Sequence, residues 1–227
     1  MKTSPPVRKQ KPLYPHVVTR IDHIGGNAYI LEVEKRFAMI AGQVVAVSLN
    51  NNMQEPRLYS IASGTNEPNL RILFDVNPQG LLTPQMAQLH PGDSIHISEP
   101  FGKFLGDSDP AWWIATGTGI APFVSMMESG LADNKTLIHG ARTLDKFYFH
   151  DQFSNALHDR YIRFCTTQTH ENVIHGRLTH WLRQQSSLPK DIKYYLCGNA
   201  DMVVEVREIL IEQHGIPFEK VMAEIYF

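Results

Sequence analysis

Residues 112–131 read Trp-Trp-Ile-Ala-Thr-Gly-Thr-Gly-Ile-Ala-Pro-Phe-Val-Ser-Met-Met-Glu-Ser-Gly-Leu. Their pattern changes twice. Trp112 to Ala115 is a short apolar run, and Thr116-Gly117-Thr118-Gly119 is a turn. Ile120, Phe123, Val124, Met127 and Leu131 then recur at helical spacing. The stretch is therefore strand, glycine-rich turn, helix. Such a turn lets a pyrophosphate approach the backbone at a helix N-terminus. The full GxGxxG is not present, so the standard dinucleotide fingerprint is not met.

The alternation continues to the C-terminus. Strands are expected over Lys135–His139, Ile162–Thr167, Ile192–Leu196 and Val221–Ile225. Helices are expected over His150–His158 and Gly176–Gln184, the latter with Leu178, Trp181 and Leu182 inward. A last helix carries Met202, Val203, Val206, Ile209 and Leu210 on one face and ends at Gly215. Strands alternating with helices predict a parallel sheet covered on both faces, with ligands at the carboxyl ends of its strands.

Upstream the pattern differs. Val17–Ile24, Ala28–Val33, Gln43–Leu49, Leu58–Ala62, Leu70–Val76 and Ser94–Ser98 read as short strands. Gly25-Gly26, Gly42 and Asn50–Asn52 punctuate them. No long helix interrupts this half, so an antiparallel barrel is expected. Thr83 is placed as a helix cap with Pro84 at the first helical position, and Pro91-Gly92-Asp93 as the end of that helix. The polar run Gly106–Pro110 sets an expected boundary, giving domains 1–106 and 107–227. The fold class is two-domain: an antiparallel β-barrel followed by a parallel-sheet α/β nucleotide-binding domain.

Composition narrows the function. The 227 residues carry a formal net charge of -2, so a whole-protein basic field for nucleic acid is absent. No run is apolar and long enough to span a membrane, and Met1–Lys11 lacks the apolar core of a secretory signal, so a cytoplasmic protein is expected. Cys165 and Cys197 are the only cysteines and form no CxxC, which excludes a cysteine-ligated zinc or iron–sulfur site within this chain, and no metal site is expected.

Two further stretches carry chemistry. In Arg57-Leu58-Tyr59-Ser60, Arg57 offers a planar fork for a phosphate, Tyr59 a flat apolar face for a ring system, and Ser60 a hydroxyl for a ring nitrogen. On a strand Arg57 and Tyr59 would point the same way. Gly80-Leu81-Leu82-Thr83 opens a helix and presents backbone N–H groups to an anion. Alone, the first is an amphipathic strand and the second a plain helix start.

Taken in order, Arg57–Ser60, Gly80–Thr83, Ala115–Pro122, Cys197-Gly198-Asn199 and Glu224-Ile225-Tyr226-Phe227 resemble the ferredoxin/flavodoxin–NADP reductase family of bacterial type. The resemblance implies an FAD-binding barrel followed by an NADP-binding α/β domain. Carried over, Arg57 would hold the FAD pyrophosphate, with Leu58 beside it, and Tyr59 would flank the isoalloxazine. Ser60 would sit near flavin N5, and Phe74, Asp75 and Val76 would touch the flavin through the backbone. Gly80, Leu81, Leu82 and Thr83 would cover the FAD phosphates. Thr116, Gly117, Thr118 and Gly119 would receive the NADP(H) pyrophosphate, and Cys197, Gly198 and Asn199 would line the nicotinamide pocket. Glu224 would relay a proton to and from Ser60, and Tyr226 and Phe227 would cover the flavin as a gate. Catalytic roles thus fall on Ser60, Glu224 and Cys197.

One departure concerns the 2′-phosphate. Where NADP-using relatives carry Ser-Arg, this chain reads Thr166-Thr167-Gln168-Thr169. Arg142 and Arg177 match positions that bacterial relatives use for the same phosphate, and NADP is the expected nucleotide. The resemblance implies a ferredoxin or flavodoxin as electron carrier, with Lys2, Arg8, Lys9, Lys11, Arg20 and Lys103 as candidate basic contacts. Rival readings are the reductase component of an oxygenase, a free-flavin or ferric reductase, and an electron-transfer subunit.

Overall fold

The structure, a computed structural model, describes residues 11–49 and 56–226. The turn expected at Asn50–Asn52, the arm with Lys2, Arg8 and Lys9, the side chain of Tyr226 and the whole of Phe227 lie outside the described residues.

The first half folds as β1 (Leu13–Gly25), β2 (Ala28–Glu34), β3 (Val44–Ser48), β4 (Arg57–Ser60), β5 (Asn69–Asp75), α1 (Thr83–Met86) and β6 (Ser94–Ser98). The six strands form one antiparallel sheet in the order β4-β3-β6-β1-β2-β5. A bridge between Ile61 and Ile72, with Ala62 N donating to Arg71 O at 2.8 Å, joins the two outer strands and closes the barrel. Alternate residues fill it. Leu31, Val33, Val45, Val47, Ile72, Phe74, Ile95 and Ile97 all point inward and are buried.

β1 starts four residues before the expected Val17. Its first half pairs with β6 (Leu13 with Ser98, Val17 with Ser94), its second half with β2. Pro15 brings no N–H donor to the strand. It is tolerated because the β2 pairing begins only at Val18, so one flank of β1 needs no donor at Pro15. The expected cap on α1 also shifts. Leu82 is the N-cap, with no side-chain bond, and the Thr83 hydroxyl instead accepts from Asn77 N at 2.9 Å. The helix is a single turn that stops at Met86, well before Pro91.

The second half folds as β7 (Ala111–Thr116), a 3-10 turn (Gly117–Ile120), α2 (Ala121–Glu128), β8 (Lys135–Ala141), α3 (His150–Leu157), β9 (Tyr161–Cys165), β10 (Ile174–His175), α4 (Leu178–Gln184), β11 (Lys193–Asn199), α5 (Ala200–Glu208) and β12 (Val221–Tyr226). All six strands are parallel, in the order β10-β9-β8-β7-β11-β12. The order reverses between β7 and β11, which opens a crevice at the ends that carry Thr116 and Asn199. β10, two residues long, was not foreseen; it is too short to leave a periodic signal. α4 starts later than expected because Arg177 is extended (φ -90°, ψ 136°) and serves as its N-cap. After α5 one π-turn (Ile209–Gln213) carries the chain to Gly215, whose φ of +63° ends the helical run as expected.

The two halves share a core. Ala41, Ala62, Leu73 and Phe104 from the barrel join Trp113, Phe123, Val124, Met126 and Tyr195 in one buried cluster. Phe104 packs against Phe123 and Tyr195, with ring centroids 5.9 and 5.3 Å apart. The connecting segment is pinned as well: the Tyr195 hydroxyl donates to Leu105 O at 3.0 Å, and Lys193 binds both Asp107 and Asp109. No helix among the described residues is long and apolar enough to cross a membrane.

Candidate functional site

Three adjacent parallel strands set the floor of the site. Ala115, Cys197 and Glu224 lie abreast on β7, β11 and β12, each a Cα partner of the next. Just beyond them the two glycine-bearing turns press together. A Cβ on Gly119 would lie 2.4 Å from Cys197 O and from Gly198 Cα, and one on Gly198 would lie 2.4 Å from the Thr116 hydroxyl. Gly198 also has φ +141°, a conformation side chains rarely adopt. Glycine at both positions is therefore a packing requirement. Gly117 differs: its φ is +56°, but a Cβ there would meet nothing within 4 Å. Asn199 locks the second turn. Its side chain caps α5 by accepting from Asp201 N at 3.0 Å, and its own N–H donates to the Thr116 hydroxyl at 3.2 Å.

The barrel meets this floor at Ser60. Ser60 is buried, and its hydroxyl donates to Glu224 Oε2 at 2.8 Å, across the junction of the two halves. Burial raises the Glu224 carboxyl above its ordinary 4.5, against the lowering effect of the Ser60 bond. The raised value means that the fold carries a penalty for the carboxylate. That penalty is absent below about pH 4.5, the unfolded value, and is felt as pH rises through the folded one. Glu224→Gln keeps an acceptor for Ser60 and removes the charge. It is expected to raise the melting temperature at pH 7–8, with the gain fading towards pH 4.5. A gain independent of pH in calorimetric scans would contradict this.

Tyr59 is half-buried and its hydroxyl is pushed up to about 12 by burial, with Arg57 pulling the other way. Its ring meets Phe74 edge-on at 6.5 Å. Arg57 and Leu58 are exposed, and no ion pair engages Arg57 among the described residues. The Phe74 ring belongs to the barrel core, stacked on Tyr29, while Val76 N donates to Asn27 O. Asp75 accepts from the Tyr148 hydroxyl at 3.2 Å, a second bond across the junction. Gly80 N bonds back to Asn77 O, and Leu81 stands exposed beside it.

A cleft of about 530 Å³ runs along the carboxyl ends of β7, β8 and β9. Thr116, Gly117, Arg142, Arg177 and Asn199 line it, as expected residues. Lys146 and Glu205 line it too and were not foreseen, and of the Thr166–Thr169 stretch Thr166 lines it. Lys146 follows β8 in a loop with no motif, and only its charge close behind Arg142 could have drawn attention to it. Thr167 and Gln168 do not line the cleft. Thr167 N and its hydroxyl both donate to Arg142 O, and Gln168 Oε1 accepts from Leu144 N at 2.6 Å. Both residues hold the Arg142–Leu144 loop in place.

These residues fit a flavin and a nicotinamide dinucleotide. The barrel offers an arginine fork beside a flat ring, and the sheet offers a cradle that any Cβ at Gly119 or Gly198 would fill. Fold and site together define a two-domain oxidoreductase with an FAD-binding barrel and an NAD(P)-binding sheet.

The comparisons carry this further. Residues 26–105 match the family model "Oxidoreductase FAD-binding domain" and residues 113–208 match "Oxidoreductase NAD-binding domain". A flavodoxin/ferredoxin–NADP reductase of Escherichia coli (strain K12) is 34% identical over 112 residues, a stretch that spans 45% of each chain. A protein of the same name from Rhodobacter capsulatus is 27% identical over 78% of this chain and 76% of its own. A ferredoxin–NADP+ reductase from Neisseria gonorrhoeae, solved with bound FAD and NADP, superposes with a TM-score of 0.84 at 19% identity, covering 95% of this chain and 99% of that one. The chain thus carries an oxidoreductase FAD-binding domain followed by an oxidoreductase NAD-binding domain, and over part of its length it is similar to flavodoxin/ferredoxin–NADP reductases.

Proposed function

We propose that the protein passes electrons between NADPH and a one-electron carrier through a bound FAD. The bond from Ser60 to Glu224 carries the reading, because it joins the flavin strand of the barrel to the nicotinamide end of the sheet. When bound, FAD supplies the exchange between two-electron and one-electron chemistry. The chain's own residues do the rest. Arg57 would hold a phosphate of the flavin, and Tyr59 would offer its face to the ring system. Gly119 and Gly198 leave room for the nucleotide to reach the backbone. Ser60 and Glu224 would hold a proton path from the flavin edge, and Cys197, paired with Glu224 across the sheet, would line the nicotinamide pocket. Gly80–Thr83 would cover the FAD phosphates. The division into residues 1–106 for FAD and 107–227 for NADP follows the same reading.

The carrier is a ferredoxin or a flavodoxin, acidic proteins that exposed cations at Lys11 and Lys103 could meet. Bleaching of the yellow holoprotein by NADPH, followed by reduction of added ferredoxin or flavodoxin, tests the proposal. A colourless protein, or one bleached by neither nicotinamide, would sink it.

Arg142 and Arg177 face one cleft with Lys146, three cations where a 2′-phosphate would land. A charge-assisted hydrogen bond contributes about 1.5–3 kcal/mol. Arg142→Ala and Arg177→Ala are each expected to cut kcat/KM for NADPH by roughly ten- to hundredfold and to leave NADH nearly untouched. Equal losses with both nucleotides would place the arginines outside the phosphate site.

A further inference from the structure

The segment that follows the flavin strand is held at both ends by the other half of the molecule. Its start, Ser60, is bound by Glu224. Its end is bound by the C-terminus of α2. Gly64 N donates to Glu128 Oε2 at 2.9 Å, Arg71 Nη2 pairs with the same oxygen, and Thr65 N donates to the Ser129 hydroxyl at 3.0 Å. Ser129 in turn donates to Ser125 O at 2.7 Å, so its oxygen is aimed by the helix itself. The fit is tight: a Cβ on Gly64 would lie 2.9 Å from both Cβ and O of Glu128. The Arg71 and Glu128 side chains are 19% and 21% exposed, so water screens the pair only in part. Arg71 is also built into the segment, because its N–H donates to the Ser63 hydroxyl at 3.2 Å and its carbonyl accepts from Ala62 N.

The opposite end of the same helix is the Thr116–Gly119 turn. α2 has eight residues and is therefore about 12 Å long. It acts as a short strut, with the nucleotide turn at one end and the flavin-strand segment at the other. We infer that Glu128 is a positioning residue for hydride transfer. Together with Arg71 and Gly64 it fixes the register between barrel and sheet, and so the separation of the two reacting rings. The inference rests on the reductase reading proposed above. Neither Glu128 nor Arg71 lines the nucleotide cleft, so their loss acts on geometry and not on binding.

The test uses FAD-loaded protein and three variants. Glu128→Ala removes the acceptor, Glu128→Gln keeps an acceptor for Gly64 without the charge, and Gly64→Ala pushes the segment off the helix with every polar group intact. Glu128→Ala and Gly64→Ala are expected to slow flavin bleaching by NADPH about tenfold or more, the scale of a small displacement of reacting groups. KM should stay within about twofold and FAD content should be unchanged. The long-wavelength charge-transfer absorbance on adding NADP+ to the reduced protein should weaken in step. Glu128→Gln should fall between these and wild type. Independently of turnover, hydrogen exchange at the Gly64 and Thr65 amides should quicken in Glu128→Ala. Faster exchange with an unchanged bleaching rate and charge-transfer band would make the clamp structural only. Unchanged exchange would mean that Glu128 does not hold the segment. If NADPH and NADH both fail to bleach the wild type, the reductase reading falls and the role given to Glu128 falls with it, while the exchange data still report whether the clamp closes.

Discussion

Gly119→Ala is expected to raise KM for NADPH by about tenfold or more while the protein keeps its FAD. The added methyl would lie 2.4 Å from Cys197 O and from Gly198 Cα, both backbone atoms. No side chain can rotate away, so the β7 and β11 turns must part. Overpacking of this kind costs roughly 1–3 kcal/mol, and about 1.4 kcal/mol is a factor of ten. The damage falls where Thr116 bonds Asn199 N, which sets the mouth of the nucleotide cleft. The barrel is untouched, so flavin content and colour should persist. Gly117→Ala, with open space around its Cβ, should cost only the strain of its φ of +56°. Steady-state kinetics on both variants decides it, and a Gly119→Ala protein with wild-type KM would refute the close packing of the two turns.

The second large effect concerns Ser60. Ser60→Ala deletes the donor to Glu224 and leaves the carboxylate half-buried beside a methyl group. Reduction of the flavin by NADPH should slow by about ten- to hundredfold, the lower part of the range for general acid–base groups. Flavin should remain bound, because the contacts proposed for it at Arg57 and Tyr59 are unchanged. Stopped-flow bleaching measures the rate. A rate equal to wild type would make Ser60 a structural serine of the barrel wall.

Much of this was legible because the two halves differ in period. Short strand-like stretches closed by turn residues, as at Ala28–Val33 after Gly25-Gly26 and at Gln43–Leu49 after Gly42, declare a barrel. The strand-turn-helix of Trp112–Leu131 declares the sheet. The site was legible where short motifs force backbone geometry, as at Gly119 and Gly198. It was not legible where contacts join distant residues. Nothing local links Ser60 to Glu224, 164 positions apart, or Arg71 to Glu128. The resemblance supplied the first pair; nothing supplied the second. Thr167 and Gln168 mark the converse limit. Their place, where the resemblance puts Ser-Arg, implies contact with a phosphate, yet their bonds run to the backbone of the Arg142–Leu144 loop, which no spacing rule foretells.

The buried cluster that unites Ala41, Ala62, Leu73 and Phe104 with Trp113, Phe123 and Tyr195 bears on how such proteins can be recombined. Two halves meeting through a wet, polar seam could be exchanged between relatives like cartridges, to trade one nucleotide preference for another. Here the seam is an interior. A foreign sheet grafted after residue 110 would have to bring its own match for the Phe104 ring and for the small side chains at Ala41 and Ala62, or leave a void in that core. If the cleft takes the nucleotide as proposed, the preference of this chain is therefore more easily altered residue by residue along the cleft rim than by shuffling whole segments.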